Sequence, residues 1–252
     1  DLYGVRSSRT DVVNFIISDL ELAVSKLKKK NEVPAQRISR DIASLFLSRV
    51  ALYEGTWEKY HQTDAFKGKT NGDAFLNKAA SAAKAVIDGG IYSLATGNPK
   101  QVYYEIFNQI NLGSNPEILM WRSYSNVQET GNQVQNWPNG SGYTQEMVRM
   151  YLCTDGLPIS LSPLYKGETD IDLLILNRDP RLVQSIMNPG DPVLINLKND
   201  TTKYTLPMLG GAQNGPTGYE SQKFRRPQWD PLNFGPTGET AYIIFRYAEA
   251  LL

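Results

Sequence analysis

The chain of 252 residues holds one cysteine and one histidine. With Cys153 alone, no intrachain disulfide can form, which sets the chain apart from small disulfide-stapled secreted scaffolds. A His/Cys metal site, a Ser-His-Asp triad or a Cys-His pair each needs partners that are missing or, like His61, present once. Net charge is lacking too: Lys plus Arg and Asp plus Glu both count 26. That removes the main electrostatic case for nucleic acid, whose binding rests on phosphate neutralisation, and no nucleic-acid partner is expected. No apolar run approaches the ~18 residues that a membrane-spanning helix needs. No charged-then-apolar leader opens the sequence, and FRYAEALL stops inside a helical pattern. Both ends are therefore expected to continue in a longer protein, with any anchor or targeting segment lying there.

What is present is helical at the start. Residues 11–30 carry Val12, Val13, Ile16, Ile17, Leu20, Ala23, Val24 and Leu27 on one face, with Thr10 or Asp11 as cap. Lys26, Lys28, Lys29 and Lys30 read as a solvated helix end, where cations complement the dipole. Residues 39–57, SRDIASLFLSRVALYEGTW, place Ile42, Leu45, Phe46, Val50 and Tyr53 at helical spacing, with Ser39 as N-cap and Gly55 as the stop. Ala43, Ser48 and Ala51 are small, so a neighbouring helix is expected to approach closely. A polar loop over 58–72 leads to a third helix, capped by Asp73, striped by Phe75, Leu76, Ala79, Ala80, Ala83, Val86 and Ile87, and ended by Gly89-Gly90. The two helices partly match a tetratricopeptide unit with an enlarged connection.

Beyond Gly90 the helical period disappears. Residues 91–94 and 117–121 suggest short strands, as do 194–206 and 218–224, while 143–152 suggests a helix or turn. Asp155-Gly156 signals a turn, and NQVQNWPNGSG over 132–142 an exposed loop. Residues 242–252 return to a helical pattern. The expected fold class is mainly α: tetratricopeptide-like helical pairs over 8–90 and 240–252, with a long inserted loop-rich lobe of short strands over 91–239.

The succession RISRDIASLFLSRVALYEGTW, NPEIL, YTQEMVRMYLCTDGLPI, NRDPRL, TGYESQKF and YIIFRYAEALL resembles the SusD/RagB family, in its order and approximate spacing. The resemblance implies a glycan-binding outer-membrane lipoprotein of Bacteroidetes, a SusD-like helical scaffold with an irregular ligand-presenting lobe, and no cofactor. It implies an oligosaccharide or polysaccharide as ligand and a SusC-like TonB-dependent transporter as partner. Membrane attachment would run only through a lipid anchor outside this chain, since Cys153 is internal.

Sugar recognition without catalysis needs aromatic faces for the C–H side of a pyranose, and amides or charges for its hydroxyls. Trp137 with Asn136 and Asn139 is the best local match; Trp229, beside Arg226, Gln228 and Asp230, is next, followed by Tyr124 and Tyr143. Trp121 and Trp57 read as packing residues, Asp179 as an ion-pairing residue of NRDPRL, and Asp170 and Asp172 as solvated. Two functions from other classes stay open: a tetratricopeptide-type peptide-binding scaffold, and a glycoside hydrolase, for which no motif nominates a carboxylate pair.

Overall fold

A computed structural model of the protein describes residues 4, 6–65, 67–132, 142–205, 217–228 and 238–252. The fold is mainly α, with a few short strands. It divides into two compact units: Asp1–Leu94, Gly113–Trp121 and Ile243–Leu252 form the first, Ala95–Leu112 and Arg122–Tyr242 the second.

In the first unit, α1 (Arg9–Lys26) is capped by Ser8, whose side chain accepts from Asp11 N, rather than by Thr10 or Asp11. The helix ends earlier than the lysine run suggested, because Leu27 is already extended at ψ 148°. Lys30 opens a separate single turn, donates from Nζ to Ile118 O at 2.8 Å and lies 4.6 Å from the Tyr92 ring centre. It is a wedge rather than a solvated helix end, and burial lowers its pKa.

Helix α2 (Arg40–Tyr60) runs through Gly55 instead of stopping there. A Cβ at Gly55 would come within 2.8 Å of the Leu76 side chain. Gly72, at φ 83°, packs so tightly that a Cβ there would overlap the Gly55 carbonyl oxygen. These two glycines set a close crossing, and Gly72, not Asp73, occupies the cap of α3 (Asp73–Asp88). The small-residue expectation holds along the same seam. Ser44 Oγ donates to Ala82 O and Ser48 Oγ to Ala79 O, both at 2.9 Å, while Ala51 is fully buried. Only part of the expected apolar stripe is buried: Ile42 and Leu45 are, whereas Phe46 is 42% and Tyr53 61% exposed, and the helix buries Ser44, Ser48, Glu54 and Glu58 as well. Hydroxyls bonded to a neighbouring helix pack as closely as small apolar groups, and hydrophobic periodicity does not count them.

Glu58 explains the long connection between α2 and α3. Its buried carboxylate accepts from Thr10 Oγ1 at 2.6 Å, from Thr70 N at 3.1 Å and from Thr70 Oγ1. One turn back, Glu54 Oε2 accepts from Arg9 Nε at 2.7 Å. A buried charge is tolerated where it is hydrogen-bonded in this way. Ile17, Leu47, Ala51, Phe75, Ala79 and Ala82 form the core among the three helices.

A second core gathers Ile42, Leu45, Val86, Tyr92, Leu119, Phe245 and Ala250. Strand β1 (Ile118–Arg122) pairs with β4 (Tyr242–Arg246), and α8 (Tyr247–Leu251) follows directly. The helical expectation for 242–252 is thus correct only for its second half. Tyr-Ile-Ile-Phe is β-branched and aromatic, favouring extended backbone once a partner strand is present. Residues 91–94 form no strand, although Ser93 N donates to Pro116 O.

The second unit is built from short pieces: α4 (Val102–Ile106), without a side-chain cap; α5 (Gln145–Met150), capped by Thr144; α6 (Ile171–Ile175), capped by Asp170; and α7 (Pro180–Val183), capped by Asp179 with proline at its first position. Strands β2 (Pro192–Ile195) and β3 (Thr201–Lys203) form an antiparallel hairpin, whereas 218–224 contributes only an isolated Ser221–Ile186 bridge. Val148, Leu174, Leu182 and Ile186 are its core. Arg178 is buried beside them and donates to the carbonyls of Val148, Tyr151 and Leu174, closing the ends of α5 and α6.

Candidate functional site

Trp137, Asn136, Asn139 and Trp229 lie outside the described residues. Tyr124 follows β1, half-buried, with the Arg122 guanidinium 5.1 Å from its ring centre. Tyr143 packs against the core of the second unit, and its backbone N–H donates to Tyr219 O at 2.8 Å. Burial raises its phenol pKa, with Ser221 and Ser185 close to the hydroxyl. Tyr124 and Tyr143 rest on different neighbours, so the two are not brought together.

A different aromatic set is assembled. Tyr103 of α4 and Phe107, which caps that helix's C-terminus, lie one turn apart, with ring centres 5.2 Å apart at 75°. Phe107 meets Phe224 edge-on at 5.4 Å, and Phe224 stacks on Tyr242 at 4.9 Å and 22°. Each spacing falls in the attractive range for aromatic pairs. Lys223 Nζ lies 5.0 Å from the Tyr103 ring centre and 4.8 Å from that of Phe107, a cation over two ring faces. Phe107, within the ladder, is 6% exposed and Tyr242, at its end, 48%, so the row is anchored inside and meets solvent at Tyr242.

Phe224 sits at φ 64°, a left-handed backbone that a bulky side chain rarely adopts. Its two ring contacts and the turn closed by Arg225 N donating to Gln222 O hold it there. Strain of this kind is concentrated at sites where a side chain must be aimed. Beside the ladder, Tyr151 OH lies 3.0 Å from Ser185 Oγ, and burial, with Tyr103 nearby, raises the Tyr151 pKa. The result is a row of ring faces edged by phenols, a hydroxyl and one ammonium, a surface suited to a ligand with both C–H faces and hydroxyls.

The acidic candidates are held in structural roles. Asp179 pairs with Arg181 and caps α7, and Asp170 accepts from Leu173 N. Asp155 accepts from Leu157 N and Ser162 Oγ. His61 stacks on Trp57 at 3.9 Å, and Cys153 is buried as a free thiol. Among the described residues, no group of three or more His, Cys, Asp or Glu could hold a metal ion.

Sequence reasoning missed the ladder because its rings come from three stretches far apart in the chain. The available signal was indirect: Phe224 closes TGYESQKF and Tyr242 opens YIIFRYAEALL, two of the landmarks that carry the resemblance. No curated protein and no solved structure matches the chain. A family model described as the SusD family matches residues 105–252, a span that includes Phe107, Lys223, Phe224 and Tyr242. Matched over more than half of its length, and mainly helical with a few short strands, the chain belongs to the SusD/RagB family.

Proposed function

We propose that this protein captures oligosaccharide or polysaccharide at the cell surface and delivers it to a SusC-like TonB-dependent transporter of the outer membrane, without cleaving it. The family is a carbohydrate-binding one, which supplies the ligand class. The observation that carries the reading is the aromatic ladder, whose rings Phe107, Phe224 and Tyr242 lie inside the matched span, open to solvent at Tyr242 and edged by Lys223. A pyranose lays its C–H face on the exposed ring, and the ammonium and phenols bond its hydroxyls. Trp137 with Asn136 and Asn139, Trp229, Tyr124 and Tyr143 remain proposed contacts for further sugar residues. No helix among the described residues is long and apolar enough to cross a membrane, and the proposed attachment is a lipid anchor outside this chain.

The test is calorimetry and affinity electrophoresis of the whole chain against plant, host and microbial glycans, with a reducing-sugar assay in parallel. Binding to at least one glycan, with no release of reducing ends, is expected. Tyr242→Ala is expected to weaken binding about tenfold, equivalent to about 1.4 kcal/mol. Combining Trp137→Ala with Trp229→Ala should weaken it further; unchanged affinity in that double variant would remove both tryptophans from the site. Glycan cleavage would replace the binding reading with a hydrolase, and binding to peptides alone would favour the scaffold reading.

A further inference from the structure

Most cations near the core of the second unit are spent on the protein itself. Arg149 pairs with Glu168, Arg181 with Asp179 and Arg225 with Glu220, while Arg178 is closed onto three carbonyls. Lys223 is treated differently. Among the described residues its ammonium makes no hydrogen bond and no ion pair, and its contacts are the faces of Tyr103, at 5.0 Å, and Phe107, at 4.8 Å. Lys223 and Tyr103 are both half-buried, so neither is sealed from solvent.

The backbone is bent to bring this charge to the ladder. Successive side chains of an extended chain point to opposite sides. The left-handed Phe224, at φ 64°, breaks that alternation, so that Lys223 and Phe224 both reach the Phe107 ring. Gln222 N donates to Ser185 O at 2.8 Å and Arg225 N to Gln222 O at 3.2 Å, fixing the turn on both sides. Backbone strain is thus spent on placing an ammonium beside a ring.

Nothing around that ammonium cancels its charge. Ring faces attract a cation but carry no formal charge, and an ammonium keeps all its N–H donors to offer. The nearby carboxylates of Asp179 and Glu220 are taken by Arg181 and Arg225. Burial raises the pKa of the Tyr143 and Tyr151 phenols, which therefore stay neutral at pH 7, although Lys223 acts on Tyr151 in the opposite sense. A neutral sugar hydroxyl would use one donor and leave the charge uncompensated, whereas an anionic group compensates it in a setting drier than bulk water. We propose that the ladder selects acidic glycans, and that a carboxylate or sulfate ester on a sugar lying along the row pairs with Lys223. The proposal rests on the glycan-binding reading and names the charge class of its ligand.

The test compares acidic glycans with the same backbones stripped of charge. Calorimetry of the whole chain at 50 mM salt sets polygalacturonate and alginate against their carboxyl-reduced forms, and dextran sulfate against dextran. At least one acidic member is expected to bind about tenfold more tightly than its neutral counterpart, and which pair does so separates carboxylate from sulfate. Its affinity should fall about fivefold between 50 and 500 mM salt, as the loss of one charge contact predicts. Lys223→Gln should remove both the preference and the salt dependence with an unchanged melting temperature, and Lys223→Arg should keep them. Equal affinity for charged and neutral backbones overturns the proposal, as does a preference that survives in Lys223→Gln. An equal loss of acidic and neutral binding in that variant makes Lys223 a brace of the ladder and overturns it too. Binding to neutral glycans alone overturns the charge selectivity and leaves glycan capture standing, while no glycan binding at all overturns both. The wild-type comparison needs no variant to fold.

Discussion

Asp179 and Arg178 stand side by side in NRDPRL and have opposite fates. The Asp179 carboxylate accepts from Arg181 Nε at 3.0 Å and from Arg181 N at 2.8 Å, and those bonds hold its pKa below the usual value. A depressed folded value contributes stability above the unfolded pKa of about 3.9, and that stability is lost as pH falls through the folded value. Asp179→Asn is therefore expected to lower the denaturation midpoint at pH 7, with the gap to wild type closing below pH ~3.9. Asp179→Ala, which also removes the cap of α7, is expected to cost about 1 kcal/mol at pH 7 by urea denaturation. That ion-pairing role was legible, since an acid two residues before an arginine, with a proline between, is a local pattern. The burial of Arg178 against three carbonyls was not, because Val148 and Tyr151 lie about 30 residues upstream and Leu174 belongs to a helix too short to announce its end. Tyr103, Phe107, Phe224 and Tyr242 stayed hidden for the same reason.

Among the elements, α1, α2 and α3 were legible as helices because each carries a long periodic pattern, yet their ends and faces were not. Gly55 reads as a stop by local rules, but the close approach of Leu76 and Gly72 makes it a crossing point instead. Gly55→Ala is expected to destabilise by about 1–3 kcal/mol through overpacking, well beyond the gain in helix propensity. Ala51→Leu, at a fully buried position on the same seam, should cost a similar ~1–3 kcal/mol. Thermal denaturation checks both, and glycan affinity of the folded fraction should stay unchanged, because neither residue belongs to the second unit. Strand β4 was misread because a five-residue stretch satisfies helix and strand patterns equally, and its partner β1 lies more than 100 residues away.

For the whole molecule, zero net charge makes the response to salt informative about the ligand. Binding to a neutral glycan should change less than about twofold between 50 and 500 mM salt, because no counterion release drives it. A steep fall would identify a polyanionic polysaccharide instead. The make-up of the first unit was only partly legible: residues 240–252 were expected beside the early helices, but the return of Gly113–Trp121 among them was not. That return bears on the order of events during synthesis. Phe245 and Ala250 complete the core around Ile42, Leu45 and Val86, so those early side chains stay without their final neighbours until the ribosome has passed residue 250. The α2–α3 hairpin, with its serine bonds and stapled loop, can form long before that. A nascent chain thus carries an unpaired apolar seam from the synthesis of Val86 until that of Ala250, and it is there that a chaperone would be needed.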